Sequence, residues 1–266
     1  MNRTTRFNRS FEENVLLKLL EDSEIEIFDI NLIKNTAFEK IKNIQSVVEQ
    51  LSKREPPFLH RIEKGKYVKG NFRNEYVISN FLVEDGVIAY WTALNLHGLT
   101  EQFSNTIFVQ TAKQKKHKNV FGVDYKFIKV KPQKMVGIEL QGYGNHQFRI
   151  TDKEKTIVDC FDLPQYAGGY EELIRAFAIT KLNTQKLISY CTSVNNIAAI
   201  KRMGFLSEFF QKEKTGLFQK FALGQVNDKY SLFDPLGADE GKYMAKWRLR
   251  MNMKEDEILN IPKNLY

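Results

Sequence analysis

DINLIKNTAFEKIKNIQSVVEQLSKREPPFLHRIEKGKYVK, Asp29 to Lys69, is the stretch on which the reading of this chain turns. Asp29 is suited to N-cap a short helix that turns Ile30 and Ile33 inward. Thr36-Ala37-Phe38-Glu39 has the T-x-x-E spacing of a capping box, which predicts a second helix from that point. Phe38, Ile41, Ile44, Val48 and Leu51 recur three and four apart, the stripe of a half-buried helix. Lys40, Lys42, Asn43, Gln45 and Ser46 take the other face. Pro56-Pro57 ends the helix. Phe58–Ile62 and Lys66–Lys69 then read as two strands joined through Glu63-Lys64-Gly65, where glycine supplies the positive φ of a hairpin turn. Helix, turn, helix and basic hairpin is the order of a winged helix-turn-helix. A small protein-docking subdomain has the same outline.

Working outward, Phe11–Leu20 reads as a helix packing behind this motif. Ile25–Phe28 reads as an edge strand for the hairpin. The pattern changes after Gly70-Asn71-Phe72, so the expected division is residues 1–72, a DNA-binding domain, and residues 73–266, a larger domain of mixed strands and helices. The fold class is α+β. In the second part, helices are expected at Tyr76–Val83 and Ile88–Leu99. Strands are expected at Ile107–Thr111, Tyr125–Val130, Gly137–Gln141 and Gln147–Ile150. Thr151-x-x-Glu154 is a second capping box, opening a helix with Ile157, Val158 and Phe161. Helices follow at Glu171–Lys181, Thr184–Thr192 and Asn196–Phe210. From Lys214 onward glycines and Pro235 suggest loops, with one strand at Trp247–Leu249.

The net charge is +8, which favours an acidic partner, nucleic acid first. Between Lys113 and Lys134 eight lysines face one acid, Asp124, a local excess of +7. The two cysteines, Cys160 and Cys191, lie far apart in apolar patterns, which fits buried thiols in a reducing cytosol and not a disulfide framework. No apolar run is long enough for a membrane span, and the basic N-terminus lacks the apolar core of a secretory signal. A cytoplasmic protein is expected.

The four histidines form no H-E-x-x-H and no ligand pair with cysteine, so no metal is expected. There is no phosphate-binding glycine loop and no nucleophile elbow, so no cofactor and no catalytic residue is assigned. The acid-x-lysine triplets Asp124-Tyr125-Lys126 and Glu240-Gly241-Lys242 are the features that a metal-dependent nuclease would use. DNA contacts are assigned by chemistry. Asn43 and Gln45 suit adenine edges, and Lys40 and Lys42 suit guanine or phosphate. Thr36 and Ser46 lie near the helix start, while Arg61, Lys64 and Lys66 belong to the hairpin, with Glu63 as a competing partner for Arg61. Lys113, Lys115, Lys116 and Lys118 are auxiliary phosphate contacts or a solvated loop.

Ile88–Gln102 (IAYWTALNLHGLTEQ) resembles the S-A-L-x-x-x-G-L-T-E-Q stretch of the AbiEi antitoxins of bacterial abortive-infection, type IV toxin–antitoxin systems. Ile107–Thr111, Asp152–Asp159 with Pro164 and Gly168-Gly169 after it, and Arg202–Glu208 (RMGFLSE) resemble further segments of that family. Ile62–Tyr67 resembles its wing. The resemblance runs from about Phe11 to Phe210. Thr92 stands where the family often has serine, and Pro56-Pro57 lengthens the connection into the hairpin. The resemblance implies a non-enzymatic antitoxin that neutralises a nucleotidyltransferase-like toxin, with or without a stable complex. It also implies repression of its own operon through operator DNA, expected as inverted repeats. The alternatives are a winged-helix transcription factor with a ligand-sensing domain and a DNA-processing enzyme.

Overall fold

The structure is a computed structural model that describes residues 9–37 and 40–263, with the backbone alone for 35–37. The chain divides into two units: Met1–Leu82 with Gly142–Gln147, and Val83–Gln141 with Phe148–Tyr266. The helix near residue 76 and the turn at 142–147 therefore group with the N-terminal part.

The first unit begins with α1 (Phe11–Asp22), opened by a reciprocal capping box between Ser10 and Glu13. It continues with β1 (Ile27–Asp29), α2 (Ile30–Ala37), α3 (Ile44–Lys53), β2 (Leu59–Glu63), β3 (Lys66–Lys69) and α4 (Glu75–Leu82). The three strands form one antiparallel sheet in the order β1-β3-β2, so the short apolar segment before Asp29 does pair with the hairpin. Asp29 accepts from the Asn31 N–H at the start of α2. Gly65 has φ +79 in the hairpin turn. Leu16, Leu20, Phe28, Ile33, Val48 and Leu51 are among the residues of a separate small core.

The second helix of the motif starts later than its capping box suggests. Thr36 falls in the last turn of α2, and α3 opens at Ile44 with Asn43 as N-cap, its side chain accepting from the Ser46 N–H. At Thr36 the backbone is already helical, so that position cannot be the non-helical cap residue. Glu39 and Phe38 lie outside the described residues. Lys40 and Lys42 consequently occupy the turn before α3 and not its face.

Arg54, just past α3, clamps α1 through Glu13, whose side chain is 1% exposed, at 2.7 Å. Burial works to raise the Glu13 pKa, but the guanidinium and the Ser10 bonds outweigh it and hold the carboxyl below its ordinary range. Arg54→Ala is expected to cost about 2 kcal/mol at neutral pH, because it strands a buried carboxylate. The sign follows from linkage: a depressed carboxylate pKa stabilises above the unfolded value, about 4.3, and that stability fades as pH falls through the folded value. The difference in urea midpoint between wild type and variant should therefore shrink in acid. Equal midpoints at neutral pH would show that the clamp carries no stability.

The second unit contains β4 (Val87–Ile88), α5 (Tyr90–Leu96), β5 (Thr106–Thr111), β6 (Lys118–Val120), β7 (Val123–Lys129), β8 (Ile138–Gln141), β9 (Phe148–Thr151), α6 (Lys153–Asp162), α7 (Tyr170–Ile179), α8 (Thr184–Val194), α9 (Ile197–Phe209), α10 (Gly216–Gly224), β10 (Ser231–Leu232), β11 (Lys242–Met244), β12 (Leu249–Met251) and α11 (Glu255–Asn260). Six strands make a mixed sheet in the order β6-β7-β5-β4-β9-β8, and three make a small sheet in the order β10-β12-β11. The fold is thus α+β.

Three expectations change here. The apolar segment at Ile88 is a strand before it is a helix: Ile88 pairs with Val109 on one side and Ile150 on the other. The second capping box moves by one residue, since Thr151 ends β9 and Asp152 caps α6 through the Lys155 N–H. Glu154 instead accepts from the Asn183 N–H. The C-terminal tail is built from α10, the small sheet and α11, with Phe218, Phe233, Trp247 and Ile258 buried. Among the described residues no helix is long and apolar enough to cross a membrane.

Candidate nucleic-acid interface

In the first unit, α3 buries Ile44, Val47, Val48 and Leu51, which leaves its opposite side and its N-terminal turn to solvent. Lys40, Lys42, Asn43 and Gln45 are exposed there and Ser46 is half-buried. The Lys42 backbone N–H donates to Glu12 Oε1 at 3.0 Å, which ties the turn to α1. Asn43 Oδ1 accepts the cap bond, which leaves its NH₂ group and one oxygen lone pair for a ligand. The positive end of the α3 dipole adds to the two lysines beside it. The side chain of Thr36 lies outside the described residues.

On the hairpin, Arg61 and Lys64 are exposed. Arg61 Nε donates to the Glu63 carbonyl at 3.3 Å, so its competing partner is backbone and not the Glu63 carboxylate. Lys66 is not a surface contact. Its ammonium donates to the Phe81 and Leu82 carbonyls at 2.7 and 3.0 Å, closing the end of α4, and it lies over the Phe81 ring. A lysine near the end of a helix satisfies carbonyls that no further turn reaches. Sequence reading passed over Lys34, which is exposed on α2; its only signal was its place among apolar residues three and four apart.

In the second unit the lysine run is partly a strand. β6 starts at Lys118 and forms the edge of the six-stranded sheet against β7. Edge strands that carry lysine resist pairing with other chains, which gives this residue a structural use as well. Lys113 pairs with Glu84 at 2.5 Å, and that bond raises the lysine pKa and lowers the glutamate's. Lys115 stands over the Phe127 ring, while Lys116 is exposed and Lys118 is half-buried.

The nuclease triplets are not assembled into a centre. Asp124 accepts from Asn119 Nδ2 at 2.8 Å, whereas the Lys126 ammonium lies 4.8 Å from the Tyr166 ring centroid and 5.8 Å from that of Phe108. Glu240 and Lys242 line an open groove of about 790 Å³ with Met244, Met251 and Met253. Among the described residues no three His, Cys, Asp or Glu gather as a metal site. His97 Nε2 is bonded to the Thr151 carbonyl at 2.7 Å. Cys160 and Cys191 are free and buried, and burial pushes both thiols up, Cys191 to about 12.

Neither a family model nor a curated protein matches this chain. The crystal structure of the RV2827C protein from Mycobacterium tuberculosis is similar to it. The TM-score is 0.67 over 96% of this chain and 96% of that one, at 11% sequence identity. The two chains share a fold. At that identity the likeness concerns architecture, and its extent over nearly the full length covers both units.

Proposed function

We propose that the first unit is a winged helix-turn-helix that reads operator DNA, and that the chain is a cytoplasmic antitoxin. In this reading it neutralises a nucleotidyltransferase-like toxin and represses its own operon. The observation that carries the DNA reading is the exposed turn at Lys40–Gln45. It opens α3, whose other face is buried, in a unit that also presents Arg61 and Lys64 on a hairpin. An exposed helix start with amides and lysines suits base edges in a major groove, and the hairpin cations suit the flanking phosphates. The toxin partner rests on the sequence resemblance.

The DNA upstream of the gene is the probe for the first part. Lys42→Ala is expected to lower the slope of log affinity against log salt by about one unit, as the loss of one phosphate contact does. Gln45→Ala is expected to cost about 1–3 kcal/mol and to relax preference at one base pair. If both variants bind like wild type, α3 is not the reading element. For the second part, the full chain is co-expressed with the adjacent reading frame. Rescue of growth is expected, and continued toxicity beside soluble chain sinks the antitoxin reading.

A further inference from the structure

The small C-terminal sheet and its margin carry two adjoining tyrosines, each with an arginine over its ring. Tyr243 lies opposite Arg250 across β11 and β12, and the Arg250 guanidinium carbon is 5.4 Å from the Tyr243 ring centroid. Arg248 lies over Tyr230 at 5.2 Å and donates to its hydroxyl at 3.2 Å. The two tyrosine rings meet at 4.8 Å and 76°. Tyr243 is 64% exposed and Tyr230 38% exposed. Arg250 is paired with Asp239, but Arg248 has no carboxylate partner among the described residues.

Single exposed aromatics are ordinary. This group is different, because the interior of the unit holds it in place. Lys201 and Arg202, adjacent on α9, are 1% and 7% exposed. Lys201 donates to the Lys229 carbonyl at 2.5 Å and to Asn227 Oδ1 at 2.7 Å, and Arg202 donates twice to the Leu232 carbonyl. Two buried cations thus secure the backbone on either side of Tyr230, from Lys229 to Leu232. On the other side Trp247, 1% exposed, packs against Gly204 and donates to Glu208 at 2.7 Å. The next residue, Arg248, has φ +49, a left-handed conformation that an arginine rarely adopts. Gly241 closes β11 so tightly onto Met251 that a Cβ there would meet the Met251 carbonyl oxygen at 1.9 Å.

We propose that this face binds single-stranded nucleic acid, with bases stacked on Tyr243 and Tyr230 and phosphate met by Arg248. Rigid aromatic rings between guanidinium groups suit unpaired bases, whose flat faces stack on them while their phosphates meet the cations. A duplex hides those base faces in its own stack. An acidic peptide would satisfy the arginines and leave the rings without a planar partner. The proposal is independent of operator reading by the first unit and lies beyond the segment that resembles the antitoxin family.

The test is fluorescence anisotropy of the full chain with a labelled oligodeoxythymidylate of about a dozen nucleotides. Tyr243→Ala is expected to weaken binding about tenfold, and Tyr243→Phe to leave it nearly unchanged, since stacking needs the ring and not the hydroxyl. Tyr230→Ala, just before β10, is expected to weaken it too. Arg248→Ala is expected to lower the salt slope by about 0.7, the value for one phosphate contact on a single strand. Circular dichroism checks that each variant is folded. The proposal is overturned if the strand does not bind, if both alanine variants of the tyrosines bind like wild type, or if unlabelled duplex competes as well as unlabelled single strand.

Discussion

Lys155→Met is expected to cost about 3–5 kcal/mol of stability at neutral pH, the range for breaking a buried ion pair from one side. Lys155 and Asp159 lie one turn apart on α6, and their side chains are 0% and 1% exposed. The ammonium donates to Asp159 Oδ1, and the Gln110 side chain is a further, weaker influence that favours the charged carboxylate. Burial pushes the Asp159 carboxyl up, and Lys155 is the main influence in the opposite direction. Without the ammonium, the carboxylate must stay charged in the core or take up a proton. Both cost free energy at neutral pH.

The pH dependence follows in sign. An aspartate whose folded pKa lies above its unfolded value, about 3.9, destabilises as pH rises through that interval. The variant should therefore be closest to wild type in mild acid and fall behind as pH increases. Lys155→Met combined with Asp159→Leu should recover most of the loss, because apolar replacement of both partners removes the stranded charge. Urea midpoints across the pH range decide the matter. A single variant within about 1 kcal/mol of wild type at neutral pH would mean that the pair does not hold α6 in place.

Gly204→Val is expected to cost about 3 kcal/mol, the upper range for overpacking a core. A glycine inside a helix is ordinarily a weakness, about 1 kcal/mol worse than alanine, so propensity alone predicts a gain. Packing reverses that sign. A Cβ at Gly204 would lie 2.3 Å from Trp247 Cζ3 and 2.9 Å from the Ala222 Cβ. The indole cannot retreat without losing its bond to Glu208 and its buried site. Trp247→Leu should make Gly204→Val less harmful, and the double-mutant cycle should give a coupling of about 1 kcal/mol or more. Additive effects would show that something other than the indole requires the glycine. Because Trp247 precedes Arg248, folded Gly204→Val should also bind the single strand more weakly.

The same glycine shows the limit of reading along the chain. Arg202-Met203-Gly204-Phe205 could be recognised as a pattern, but the reason for its glycine stands 43 residues later at Trp247. The start of α3 shows a subtler limit. Thr36 and Asn43 are both good caps, and a T-x-x-E box is the stronger local signal. The structure takes Asn43, because α2 runs on through Ala37. That choice moves Lys40 and Lys42 from a helix face into a turn. Lys66 had the right charge for a hairpin contact, yet the carbonyls at the end of α4 claim its ammonium.

What the sequence determined by itself is local. Local patterns located α1, α6, α7, α8 and α9, with a capping box opening α6 one residue early, and a glycine between two short strands located the β2–β3 hairpin. Those signals suffice because helix and hairpin bonds join residues a few positions apart. The tertiary structure decided the elements whose partners lie far away. Two residues, Val87 and Ile88, become a strand because Gln110, Val109 and Ile150 pair with them. Three residues of the lysine run do so because β7 lies alongside. The group of Tyr230, Tyr243, Arg248 and Arg250 arises in the same way, on or next to three strands of two or three residues each, too short for any periodicity to mark.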